Sequence, residues 1–206
     1  MRTEEDRMQL ETHLDSLLTM MEEEIQLCYV ALGAFEEQNT LIISLVNSGQ
    51  HASDERSVAN SYRTMYGRSL IMSADMIGRS LQMMQNLLIQ YGGGAELKYD
   101  LSSAIDLYQH EFSSIRDMRN SVAHAEERIV GIGPRNKELP EEKPTRIENG
   151  QKIWEYTPSF LHEFELIVGT GERVRLQLTQ VFVEMLGAVV SHVHEVFPQP
   201  PMRLNI

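Results

Sequence analysis

The chain has 206 residues, of which 42% are hydrophobic, enough for one domain with a proper core. Its 18 Lys and Arg against 30 Asp and Glu give a net charge of −12, which argues against a protein that coats nucleic acid non-specifically. The single cysteine, Cys28, excludes an internal disulfide, and no apolar run reaches the roughly 18 residues of a membrane span. The charged N-terminus has no apolar signal region, so we expect a cytoplasmic protein.

Two long helices are predicted in the first half of the chain. The first covers residues 3–47, and the pattern allows a break near Gly33 or at residues 38–40. The second covers residues 54–91, with Ser53 as its N-cap. Both have apolar positions in steps of three and four, the geometry of antiparallel bundle packing. The first track is Leu10, Leu14, Leu17, Met21, Ile25, Cys28, Leu32 and Phe35; the second is Leu70, Ala74, Ile77, Leu81, Met84, Leu88 and Tyr91.

A third helix is predicted over residues 100–127, after a flexible turn at Gly92 to Gly94. Its apolar seam is Leu101, Ile105, Tyr108, Phe112, Ile115 and Val122. Arg119 lies between Ile115 and Val122, at a position where the same register calls for an apolar residue. A guanidinium in place of an aliphatic group is costly unless it is paired, or unless it faces water or a ligand. We therefore treat Arg119 as a candidate functional residue.

The segment after the third helix changes in character. Residues 131–150 are rich in proline, glycine and charge, and we expect a long exposed loop that ends in a turn at Asn149-Gly150. A short strand is predicted at 152–156, with residues 129–132 as one candidate partner. Alternating residues predict a hairpin with arms at 164–168 and 174–178.

The last predicted element is a helix that is capped by Thr179 and runs to about Phe197, where prolines stop it. The predicted fold is therefore mainly α. It is a four-helix up-down bundle in a single domain, with a small antiparallel β-sheet inserted between the third and fourth helices at about residues 129–178.

The hexapeptide Arg119-Asn120-Ser121-Val122-Ala123-His124 resembles the R-x4-H signature of HEPN domains, in which a polar residue, often Asn, follows the Arg. HEPN domains are small helical bundles, and many are RNA-cutting enzymes of toxin–antitoxin and defence systems. The resemblance implies a four-helix bundle, a homodimer with two signatures at a shared cleft, and metal-free cleavage to 2′,3′-cyclic phosphate products. It also implies an RNA substrate and an antitoxin protein as partners. No cofactor, no DNA partner and no membrane association are expected.

The residue types suit that chemistry. The imidazole of His124 transfers protons near neutral pH, and the guanidinium of Arg119 binds phosphate in a bidentate manner. Asn120 would orient the phosphate or the imidazole, and Arg116, four residues before it, would extend the basic face as a substrate-binding residue. Positions 119 and 124 point about 140° apart on a helix, so the two side chains of one chain need not converge on the same phosphate. The homodimer that the resemblance implies would resolve this difficulty, because groups from both chains could surround one phosphate.

Two other interpretations of the same residues remain open. One is a non-catalytic HEPN-like module that binds RNA, a nucleotide or a protein partner, which the acidic balance of the chain favours. The other is a helical scaffold in which the hexapeptide is a coincidence, Arg119 is ion-paired within the protein and no cleft lies near His124. The chain shows no zinc pair, because His192 and His194 would lie on different faces of the last helix.

Overall fold

A computed structural model describes residues 4–50, 53–92, 100–123, 132–133, 137–138, 146–148, 151–153, 163–167 and 173–197. Most of these residues are helical, which confirms the predicted fold class at this level. The helices are α1 (Glu4–Asn47), α2 (Asp54–Gly92), α3 (Ser102–Glu111), α4 (Ile115–Ala123) and α5 (Gln180–Val196). None of the helices in these ranges has an apolar stretch long enough to cross a membrane.

Six short strands form three antiparallel pairs between α4 and α5. They are β1 (Ile132–Gly133) with β2 (Lys137–Glu138), β3 (Arg146–Glu148) with β4 (Gln151–Ile153), and β5 (Glu163–Ile167) with β6 (Arg173–Gln177). The last pair confirms the hairpin predicted from alternation. Two expectations were wrong: the segment 131–150 contains strands, and β4 pairs with β3 rather than with residues 129–132. Glu148 pairs with Gln151, and the turn predicted at Asn149-Gly150 lies between them, outside the described residues.

The predicted ends of the first two helices are close to those observed. Ser53 caps α2, because the backbone N–H of Arg56 donates to its Oγ at 3.2 Å. α1 is continuous through Gly33 and residues 38–40, so the break that the pattern allowed does not occur. A helix of this length tolerates a glycine where the neighbouring residues are strong helix formers with a buried face.

The third helix was wrongly predicted as one continuous element. α3 ends before Phe112, whose N–H makes the last helical bond to Tyr108 O at 2.9 Å. α4 then begins after Ser114, whose carbonyl accepts from Met118 N at 3.0 Å. Serine favours such an N-cap position because its hydroxyl competes for nearby backbone groups. The periodic apolar pattern carries no trace of this interruption, since Phe112 and Ile115 are both buried on either side of it.

The chain divides into two compact units. The first contains Met1–Tyr29, Ser73–Ser113 and Val181–Ile206, and the second contains Val30–Met72 and Ser114–Gln180. α1 and α2 each contribute residues to both units, so the division does not follow the order of the chain. The third and fourth helices fall in different units, since the boundary lies between Ser113 and Ser114.

The core of the first unit uses the apolar tracks predicted for α1 and α2. Its buried side chains include Leu10, Leu14, Leu17, Met21 and Cys28 from α1, Ala74, Ile77, Leu81 and Met84 from α2, Ala104 from α3, and Phe182, Leu186, Val189 and Val193 from α5. Phe112 packs edge-on against Phe182, with ring centroids 5.4 Å apart. Full burial of each large apolar side chain stabilises the fold by roughly 1.5–3 kcal/mol.

Candidate functional site

The short helix α4 carries three of the four residues singled out in the sequence. Ile115 and Met118 are fully buried, whereas Arg119 and Asn120 are half-buried and Arg116 is exposed. The buried register therefore passes through Met118, and Arg119 lies beside it rather than in it. The prediction that Arg119 replaces a core aliphatic group was wrong, because the buried face of α4 steps by three residues from Ile115 to Met118 rather than by four to Arg119. Arg119 is instead a flanking cation at the edge of the core.

Arg116, Arg119 and Asn120 share one side of α4, since they are three and four residues apart. Arg119 takes part in a non-covalent interaction within the protein. α4 packs beside β5, which belongs to the same unit. His124 lies outside the described residues. The structure thus brings together the cations and the amide of the predicted site, and the predicted imidazole follows α4 directly in the sequence.

The second unit contains an arginine that the sequence analysis missed. Stepping back from Leu70 along the buried face of α2 in threes and fours leads through Gly67 to Arg63 and then to Ala59. The matching step beyond Phe35 on α1 leads to Asn39, which is only 3% exposed. The apolar seams of both helices therefore each hold one polar residue, and these two residues meet. Continuing each seam by one or two steps would have found them.

Arg63 joins three elements of the second unit. Its Nε donates to Asn39 Oδ1 at 2.6 Å, and its Nη2 donates to the backbone carbonyl of Glu163 on β5 at 2.7 Å. The guanidinium also lies over the ring of Phe35, 5.0 Å from the centroid, which is a cation–π contact. Burial lowers the pKa of Arg63 below its ordinary value, but an arginine remains charged at any physiological pH. The residue ties the start of the β5–β6 hairpin to α1 and α2.

The next residue of β5 reinforces the same attachment. Phe164 is buried, and its ring rests on Gly67 of α2, one helical turn after Arg63. A Cβ added at Gly67 would lie 2.6 Å from Cε2 of that ring, closer than real Cβ atoms come to their neighbours. Glycine is therefore required at position 67 by the close approach of the ring. β5, the strand beside α4, is thus fixed to α2 at two successive residues.

Two other groups with chemical potential are held in structural roles in the first unit. Burial raises the pKa of the Cys28 thiol to about 12, so the thiol is protonated and unreactive at neutral pH. The Tyr108 hydroxyl donates to Ala74 O at 2.8 Å, and burial raises its pKa as well. Within the described ranges, no group of three or more His, Cys, Asp or Glu residues is arranged to hold a metal ion.

The chain was compared with models of protein families, with curated proteins and with solved structures, and none of these comparisons found a match.

Proposed function

We propose that this protein is a metal-independent endoribonuclease of the HEPN type that acts as a homodimer, with a toxin or defence role. The observation that carries the proposal is the placement of Arg119 and Asn120. They lie side by side and half-buried on α4, with exposed Arg116 one turn earlier and His124 four residues after Asn120. A partly buried guanidinium stabilises charge on phosphate more strongly than a fully solvated one, because the local dielectric is lower.

Each group has a defined task in the proposed reaction. A base, His124 of one chain or the other, takes the proton of the ribose 2′-hydroxyl. The 2′-oxygen attacks phosphorus, the P–O5′ bond breaks, and the leaving 5′-oxygen takes up a proton from an acid. The products are a 2′,3′-cyclic phosphate and a 5′-hydroxyl. Arg119 stabilises the charge on the phosphoryl oxygens, Asn120 orients the phosphate or the imidazole, and Arg116 binds the neighbouring backbone.

The proposal extends to the fold and to the partners. The first unit contains helical segments from α1, α2, α3 and α5, and we propose that they form the four-helix up-down bundle of HEPN domains. The strand pairs between α4 and α5 are additional to such a bundle. The expected partners are a second copy of the chain, an RNA substrate and an antitoxin protein that holds the enzyme inactive.

The first experiment is RNA cleavage in the presence of EDTA. Wild-type protein should release fragments with 2′,3′-cyclic phosphate ends, and Arg119→Ala and His124→Ala should each lower the rate by about 100-fold or more. Arg68→Ala and His13→Ala are matched controls, because they remove the same side-chain types from α2 and α1 and should leave the rate unchanged. Cleavage that is unaffected by the first two variants, or no cleavage at all, would exclude the proposal. RNA binding without turnover that is lost in Arg119→Ala would indicate a non-catalytic module instead.

A second experiment tests whether the site is shared between two chains. Arg119→Ala and His124→Ala proteins, each of which should be inactive alone, are mixed under conditions that allow subunit exchange. If Arg119 of one chain works with His124 of its partner, about a quarter of the wild-type rate should return, because random exchange makes half the dimers mixed and each mixed dimer has one intact site. No recovery, with exchange verified by mass spectrometry, would show that both groups act within one chain.

A further inference from the structure

The guanidinium of Arg63 is held along one edge and one face. Nε and Nη2, which form the inner edge of the planar group, donate to Asn39 Oδ1 and to the Glu163 carbonyl. The ring of Phe35 covers one face. Nη1 donates to none of the described residues, and it is not among the side-chain nitrogens sealed from solvent. The two bonds fix the orientation of the guanidinium, and its outer edge, Nη1 and the second hydrogen of Nη2, is not used by any hydrogen bond to the described residues.

The positive charge of Arg63 is not balanced by any described carboxylate. Both of its acceptors are neutral oxygens, one an amide and one a backbone carbonyl. This is notable in a chain with 30 acidic residues against 18 basic ones, where a carboxylate partner would be easy to supply. The seam of α1 instead provides Asn39, which accepts a hydrogen bond and leaves the full charge of the guanidinium in place.

Asn39 itself indicates that this arrangement is held at a cost. The residue is 97% buried, and its Nδ2 has no hydrogen-bond partner within the part of the chain that the structure describes. Buried donors without acceptors are rare, and each needs an explanation. An aliphatic residue at position 39 would fill the same seam position without that cost. Orientation of the Arg63 inner edge by Oδ1 explains why an amide stands there.

We infer that the outer edge of Arg63 binds one phosphate group. A guanidinium whose inner edge is already fixed loses little conformational freedom when two oxygens of a phosphate accept from its outer edge. The inference does not depend on the ribonuclease proposal, because Arg63 and Arg119 are on different helices and the contacts of Arg63 alone carry it. Free phosphate, a nucleotide or the backbone of RNA would supply the same group.

The test is equilibrium dialysis of the whole chain with radiolabelled inorganic phosphate at an ionic strength kept constant with KCl. One saturable site per chain is expected. AMP and a short RNA should compete for it, and whichever competes at the lowest concentration identifies the source of the phosphate. Acetate should compete at least tenfold less well. Absence of saturable binding by the wild-type chain, or equal competition by acetate, would overturn the inference.

Three variants locate the site. Arg63→Gln should weaken phosphate binding at least tenfold, whereas Arg68→Gln, which removes the same charge about 140° around the same helix, should bind within twofold of wild type. If Arg63→Gln fails to fold, the double variant Asn39→Leu/Arg63→Leu replaces both polar partners by apolar groups and should fold without binding phosphate. Unchanged binding in a folded Arg63 variant would refute the assignment. Arg119→Ala should still bind phosphate at Arg63, so failure of the phosphate inference can be distinguished from failure of the nuclease proposal.

Discussion

Replacement of Gly67 by alanine is expected to destabilise the protein, although alanine is the better helix former. In an open helical position this change stabilises by about 0.5–1 kcal/mol. At Gly67 the new Cβ would lie 2.6 Å from Cε2 and 3.2 Å from Cγ of Phe164. The ring cannot move aside easily, because Phe164 is buried and its neighbour Glu163 is bonded to Arg63 through its backbone. Insertion of a methyl group into such a packed contact costs about 1–3 kcal/mol.

The chain offers a matched control on α1. Gly33 is also in a long helix, and a Cβ there would meet nothing within 4 Å. Gly33→Ala should therefore show the propensity gain alone, about 0.5–1 kcal/mol. The difference between the two variants removes the propensity term, so it measures the clash with Phe164 directly, and it should be about 1–3 kcal/mol.

Urea unfolding of wild type, Gly67→Ala and Gly33→Ala, followed by circular dichroism, provides the measurement. Stability differences are taken from the midpoints, provided that the slopes agree. A third variant, Gly67→Ala/Phe164→Ala, makes room for the new methyl group, so Gly67→Ala should no longer destabilise in that background. If Gly67→Ala is as stabilising as Gly33→Ala, the hairpin is not seated on α2 at this residue and the reasoning about its attachment is refuted.

Three further outcomes are expected from residues outside that contact. The Cys28 thiol should not react with a thiol reagent at pH 8 until the protein unfolds. Because burial raises the pKa of this thiol to about 12, its protonated form stabilises the folded protein below the ordinary thiol pKa, and this contribution is lost as the pH rises above that pKa. In a pH series of unfolding measurements, Cys28→Ala should abolish this part of the pH dependence of stability. Tyr108→Phe should lower the free energy of unfolding by about 0.5–1.5 kcal/mol, measured in urea, because the hydroxyl no longer donates to Ala74 O. Ser53→Ala should cost about 1 kcal/mol by the same assay, since the Arg56 N–H loses its cap, and no loss would show that the cap contributes nothing.

Much of the helical framework could be predicted from the sequence because burial and periodicity coincide there. Every residue of the predicted α1 track, from Leu10 to Phe35, is buried in the structure. The caps and stops were equally informative, since Ser53 precedes α2 and Thr179 precedes α5 directly. In these elements local propensity, hydrophobic pattern and end signals favour the same boundaries.

The third helix shows where such reasoning fails. Tyr108, Phe112 and Ile115 keep a helical spacing across the interruption, because one turn of non-helical chain can hold buried side chains at nearly the same intervals. Only Ser113 and Ser114 indicate a break, and two serines are a weak signal within an apolar pattern. The short strands at 132–133 and 137–138 were not predicted for the opposite reason, since each has two residues, too few to show any period.

The two arginines lead to one conclusion about how polar residues in apolar seams should be interpreted. Arg119 was selected because it interrupts a register extrapolated across the break at residues 112–114, and the buried residue at this point of α4 is Met118 instead. Arg63 does interrupt a register that the structure confirms, and it was passed over because the seam of α2 was followed only from Leu70 onward. An interruption is informative when the helix around it is continuous, since then no shift of register can remove it. By that criterion Arg63, which lies inside α2 and is bonded to Asn39, is the cation whose position the fold itself specifies, whereas the function proposed for Arg119 rests on the pairing with His124 that the sequence predicts.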